Sequence, residues 1–246
     1  MKKNKKKFID LSTVNYPLSI EVEQKDIKNI HLSVYPPDGK VKVAAPLRMD
    51  LDTIRVFVIN KLQWIKTQRE AFKNQDREPP REYISRENHY YQGKRYLLRI
   101  IEHDARPKVV LTHSNLELYV RPNTSTQKRE EIIEEWYREQ LKATSPKMVE
   151  KWEKIMGVKA SEVRVRQMKT KWGSCNTDTK RIWINLELAK KPLECLEYII
   201  VHELVHLLER NHNNQFVKYM DTFMPKWRFY RDELNRLPFK HMEWEY

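Results

Sequence analysis

The sequence predicts an α+β fold: a small antiparallel β/helix region first, then a region in which a β-hairpin leads into one enclosed helix. Three observations predict it. Short segments such as Ser19–Glu23 and Ser161–Met168 alternate apolar and polar residues, as half-buried strands do. Two longer stretches repeat apolar residues at helical spacing, one through Ile54, Val58, Leu62 and Ile65, the other through Ile132, Ile133, Trp136, Leu141 and Met148. Finally, Leu196, Tyr198, Ile199, Ile200 and Val201, continued by Leu204, Val205, Leu207 and Leu208, describe a helix that is apolar on nearly every side and so belongs inside the protein.

Taken in order, the strands Ser19–Glu23, Ile30–Val34 and Val41–Ala44 come first, the last two separated by a turn signal at Pro36, Pro37, Asp38 and Gly39. Asp50 or Asp52 caps a helix that runs to about Asn74, and its stripe from Met49 to Phe72, Trp64 included, reads as core. Asp76–Tyr83 is charged, carries two prolines and reads as a connector. Tyr90–Tyr91, a turn at Gly93, Arg95–Ile101, Val109–Leu111 and Leu116–Val120 then suggest an antiparallel meander. A second helix begins at Ser125 or Thr126 and ends near Gly157, with Pro146 expected to kink or split it. Ser161–Met168 is a strand, Lys169–Lys180 a loop, Arg181–Leu186 a strand, and Pro192 opens the apolar helix. A helix from about Gln215 to Met224 and a last one to Leu237 complete the chain, in which no internal repeat is visible.

With 246 residues the chain can hold one large domain or two small ones. The expected division is a basic disordered tail at 1–10, an N-terminal α+β region at 11–157, and a final domain at 158–246. A mean hydropathy of −0.80 and the lack of any apolar run near ~20 residues argue against a membrane partner. The start, MKKNKKKF, has no apolar segment behind it and does not read as a signal peptide. Two cysteines, Cys175 and Cys195, read as reduced thiols, which points to a cytoplasmic protein. The formal charge of +13 makes nucleic acid a candidate partner, since a basic surface attracts polyanions.

The apolar helix carries the chemistry. His202, Glu203 and His206 spell H-E-x-x-H, and residues four apart share a helix face, so two imidazoles can meet one metal ion. Glu203 lies beside that ion rather than on it, where it can take a proton from the attacking water and pass it to a leaving amine. His212 follows at the third-ligand spacing of the metzincin proteases. Where those proteases have glycine, this chain has Glu209, so the turn must be built differently. Asn211, in the left-handed conformation, is the expected helix terminator. Asp221 and Glu233 are the alternative third ligands, on the pattern of a carboxylate from a later helix.

Other features bear on the same site. Cys175 in Trp172-Gly173-Ser174-Cys175 invites a nucleophile reading, but no histidine lies near it in sequence. Gly173 is instead expected to permit a tight turn, Trp172 to pack under the motif helix, and Cys175 to have a chance of approaching the metal. For an extended substrate, Arg181–Leu186 or Ser161–Met168 could supply a strand edge. Tyr230 and His241 are the candidates for stabilising an oxyanion.

Lys171-Trp172-Gly173-Ser174-Cys175, a short strand ending in Asn185, HELVHLLERNHNNQF and the later Met224-Pro225 together resemble the YgjP-like metallopeptidases, a family that looks related to the SprT-like and zincin proteases. The resemblance implies a zincin-like metallopeptidase domain at 158–246, its β-hairpin leading into the HExxH helix. It also implies one Zn2+ per chain on His202, His206 and His212, ahead of Asp221 or Glu233, with Glu203 as catalytic base. The expected function is zinc-dependent hydrolysis of peptide bonds in a peptide or protein substrate, through a metal-activated water. The alternative is a nucleic-acid-associated protein whose metal is structural, or which acts on DNA-bound proteins. Three histidines and a spare glutamate suit a catalytic site better than a closed structural one.

Overall fold

The computed structural model describes residues 6–12, 16–35, 39–74, 81–168 and 171–236. Its contacts divide the chain into two compact units, Met1–Gln75 and Asp76–Tyr246, whereas the sequence reading places a boundary at 157/158. Of the expected tail, residues 1–5 lie outside the described residues, and Lys6–Asp10 form a strand.

In the first unit, β1 (Lys6–Asp10), β2 (Ser19–Lys25), β3 (His31–Tyr35) and β4 (Lys40–Pro46) make one sheet in the order β1-β2-β4-β3. β4 alternates between half-buried and buried positions until Ala45 and Pro46, as a sheet with one covered face requires. The cover consists of α1 (Leu51–Ile59) and α2 (Leu62–Asn74), whose Ile54, Val58 and Ile65 join Ile20, Val22, Val41 and Val43 in a core of their own. Asp50 caps α1 by accepting from the Thr53 N–H. The single helix expected here breaks at Asn60 and Lys61, and Trp64, expected in the core, remains 44% exposed.

The second unit begins with the sheet of β5 (Asn88–Tyr91), β6 (Lys94–Glu102), β7 (Lys108–Leu111) and β8 (Asn115–Val120), in the order β5-β6-β8-β7. This is not the meander that the sequence suggests. β8 inserts between β6 and β7 and runs parallel to β6. The same topology, four strands with the fourth placed third and then a helix, therefore occurs once in each unit. What repeats is the pattern of alternation and strand order rather than residue identity, so the sequence carries no visible repeat.

α3 (Thr126–Met156) is one continuous helix of 31 residues. Its buried stripe of Ile133, Tyr137, Leu141, Ser145 and Val149 recurs every fourth position. Pro146 sits on the exposed side, so the hydrogen bond it forfeits to the Lys142 carbonyl is lost where water can replace it, and the helix neither splits nor ends. Gly157, left-handed with φ 68°, terminates it.

Behind α3 lies a three-stranded sheet of β9 (Glu162–Arg166), β10 (Gly173–Asn176) and β11 (Arg181–Asn185). Its order is β10-β11-β9, with β9 parallel and β10 antiparallel to β11. The hairpin that precedes the motif helix is thus β10 with β11, and β10 comes from the segment read as a loop. A 3₁₀ turn, Leu186–Lys190, connects β11 to α4 (Leu193–Val205), the motif helix, followed by α5 (Asn214–Phe223) and α6 (Trp227–Arg236). The β5–β6 turn, with Gln92 and Gly93 both at positive φ as a tight hairpin demands, docks on this connection: the Gln92 and Gly93 N–H groups donate to the Ala189 and Lys190 carbonyls at 2.9 and 3.1 Å. Among the described residues no helix is long and apolar enough to cross a membrane.

Candidate metal centre

α4 is buried along most of its length, so the two histidines at its C-terminal end and Glu203 are polar groups set at the edge of a core. Such groups need partners. The helix ends at His206, and the chain turns through N–H donations from Leu207, Leu208 and Glu209 to the carbonyls of Leu204 and Val205. Asn211 is not left-handed, contrary to expectation. Glu209 organises the turn: its carboxylate accepts from the Asn211 N–H at 3.1 Å, and its carbonyl accepts from His206 Nδ1 at 3.2 Å. Hydrogen bonds thus do the work that a glycine's positive φ would do elsewhere. Asn213 then caps α5, accepting from the N–H groups of Gln215 and Phe216.

This turn brings His212 back to α4. His202, His206 and His212 each direct a ring nitrogen to a common region, all within 4.8 Å of one another, and His212 Nε2 lies 3.0 Å from His202 Nε2. Phe216, 2% exposed, supports all three rings at centroid distances of 4.9, 4.8 and 4.7 Å. Burial, followed by the neighbouring His206 and His212, pushes His202 down to about 3. His206 is also lowered, chiefly by burial. Because the Glu209 carbonyl can only accept, His206 carries its proton on Nδ1 and leaves Nε2 as a lone-pair donor. Zinc–nitrogen bonds of about 2.0–2.1 Å place tetrahedral donors roughly 3.4 Å apart, so the donor set fits a single divalent ion.

Glu203 is 4% exposed, and burial pushes its carboxyl up to about 8, against the opposing effect of Lys171. The strand over it is β10. Gly173 is not in a tight turn; it is a strand residue at a close crossing. A Cβ built there would lie 2.5 Å from Glu203 Oε1, 2.8 Å from its Cγ and 2.8 Å from Ile199 Cγ2. A side chain there would take the space that the Glu203 carboxylate and Ile199 fill.

Among the described residues β10 is paired on one side only, and it borders a cleft of about 660 Å³ lined by residues 171–178 together with Tyr198, Ile199, Glu203, Arg210 and the three histidines. Of the two strands expected to offer a substrate edge, β11 is central with both sides occupied, and β9 lies on the far side of the sheet. Tyr198, which the motif reading overlooked, lies one turn before His202 on the same face; its ring meets His202 edge-on at 5.9 Å and stacks on Trp227 at 6.4 Å. The four-residue spacing was the available signal. Tyr230 is not among the cleft residues, and His241 lies outside the described residues. Asp221 and Glu233 are not in the histidine group, and Asp221 is engaged by Trp227 and Arg228. Cys175 does not join the donors; burial, then Glu203, pushes its thiol up to about 11, the wrong direction for a nucleophile.

Asn185, fully buried at the end of β11, holds β10 in place. Its Nδ2 donates to the carbonyls of Met168 and Lys171 at 2.9 and 2.7 Å, and its Oδ1 accepts from the N–H groups of Met168 and Glu187 at 3.4 and 3.2 Å. Asn185→Ala leaves these buried groups unpaired and is expected to cost about 2–4 kcal/mol, measurable by urea denaturation.

The chain matches the sequence model of the YgjP-like metallopeptidase domain over residues 28–237. It is also similar to two solved metallopeptidase zymogens. Abylysin of Pyrococcus abyssi is 21% identical with a TM-score of 0.34, over 36% of this chain and 90% of that one. Jannalysin of Methanocaldococcus jannaschii is 22% identical with a TM-score of 0.33, over 36% and 91%. No curated protein matches the chain.

Proposed function

The chain belongs to the YgjP-like metallopeptidase family, and from that premise we propose that it is a zinc-dependent peptidase in which His202, His206 and His212 hold one zinc ion per chain and Glu203 is the general base. The observation that carries the reading is the convergence of three imidazole nitrogens beside a buried carboxyl, along the open side of β10. A zinc ion held there supplies Lewis acidity, which polarises a scissile carbonyl and makes water reactive near neutral pH.

The chain's own residues do the rest. β10 offers unpaired backbone groups to an extended peptide, which adds to the sheet as a further strand. Glu203, enclosed by Gly173 and Ile199, has little freedom to swing away. It takes the proton of the attacking water and returns it to the departing nitrogen. Three protein donors beside an open cleft leave room for substrate, which speaks against a closed structural site. Cys175 and Cys195 are both free thiols, in keeping with a cytoplasmic setting.

The test is zinc content by elemental analysis on wild type and His212→Ala, purified side by side. About one equivalent in wild type and a weakening of zinc affinity by well over tenfold in the variant are expected, since even residues behind the ligands cost 10–100-fold. Wild type that takes up no zinc, or a variant that holds it as tightly, would overturn the assignment.

A further inference from the structure

We propose that the cleft selects peptides bearing an acidic side chain close to the scissile bond, and that Lys171 and Arg210 recognise it. The inference deepens the peptidase reading and rests on it.

Its basis is the placement of charge around the cleft. Lys171 stands two residues before Gly173, where β10 crosses Glu203, and Arg210 lies in the loop that joins His206 to His212. Both line the cleft and both are exposed. Neither takes part in an ion pair with another described residue apart from the influence of Lys171 on Glu203. Neighbouring cations are treated differently: Arg164 and Arg181 share Glu162, Lys190 is held by Glu187, and Arg228 by Asp221.

Two cations without an ion-pair partner among the described residues thus line a concave site, where low-dielectric walls focus their field. The cleft's anions do not cancel them. Glu203 is buried and committed to proton transfer, and Asp178 lies in the turn beyond the far end of β10. A peptide along β10 therefore meets positive charge near Glu203 and negative charge only further along. An acidic residue there gains two charge-assisted contacts, and a basic one meets two like charges.

The experiment uses the full chain loaded with zinc and a degenerate peptide library with blocked termini, its cleavage sites read by mass spectrometry. Asp and Glu are expected to outnumber Lys and Arg beside the cleaved bond by roughly tenfold, and Lys171→Glu combined with Arg210→Glu should invert the preference. The ratio is the readout because Lys171 also acts on Glu203, which would change the absolute rate. A second arm measures binding of matched Glu and Lys peptides to zinc-loaded Glu203→Gln by fluorescence anisotropy. Cleavage without charge preference, or a preference that survives the double reversal, overturns the inference and leaves the peptidase reading standing. Charge-selective binding without cleavage by wild type supports acidic-peptide recognition by Lys171 and Arg210 but overturns the peptidase reading, and with it the placement beside a scissile bond. The absence of both overturns both.

Discussion

Glu203→Gln is expected to lower peptide hydrolysis by about 10²–10⁴-fold, the usual contribution of a positioned general base, while zinc content stays at the wild-type value. The amide matches the carboxyl in size, so the crossing of β10 at Gly173 survives and only proton acceptance is lost. Wild-type activity in this variant would remove Glu203 from the mechanism. Loss of zinc together with activity would mean that the substitution had disturbed the ligands instead.

The same variant carries a signature in the metal-free protein. Folding raises the Glu203 carboxyl from the ordinary 4.5 to about 8 because burial penalises the charged form. Between those values the folded chain keeps a proton that the unfolded chain releases, so wild type loses stability as pH rises from about 4.5 to about 8. Gln has no proton to lose. The difference in Tm between variant and wild type should therefore grow in the variant's favour over that window, and a difference independent of pH would contradict the burial of the carboxyl.

Gly173→Ala is expected to cost at least about a hundredfold in activity, since a displacement of about 1 Å at a reacting group has consequences of that size. The added methyl would sit 2.5 Å from Glu203 Oε1 and 2.8 Å from Ile199 Cγ2. Either the base shifts towards the cleft that it lines or β10 lifts and the substrate edge moves with it. The atoms nearest the added methyl belong to Glu203 and Ile199 and not to a histidine, so zinc should be retained. Overpacking of this kind also costs typically 1–3 kcal/mol of stability. Gly157→Ala is the matched control: nothing lies within 4 Å of its Cβ position, and only the φ of +68° opposes it. It should cost about 1 kcal/mol and leave hydrolysis intact. Equal activity in the two variants would show that the close approach at Gly173 does not matter.

Much was legible in the residues alone. Periodicity located the motif helix and the long α3, although the helix expected up to Asn74 is two helices, and the i, i+4 rule assigned His202 and His206 to one face. These are local properties, determined by side chains within one or two turns, and a sequence displays them directly. Only the tertiary structure decided the rest, because it depends on chain segments far apart. Pro146 is harmless since packing turned it to the outside of α3. β8 runs between β6 and β7, parallel to the first and antiparallel to the second, although alternation alone is blind to which strand pairs with which. The loop that leads into β10 is held by three hydrogen bonds of the Asn185 side chain, and β10 stands at the edge because, among the described residues, no strand pairs with its other side. Gly173 illustrates the division most clearly. In sequence it is a residue that permits a turn, and in the fold it is the space that Glu203 fills, a contact between residues thirty positions apart that no local pattern encodes.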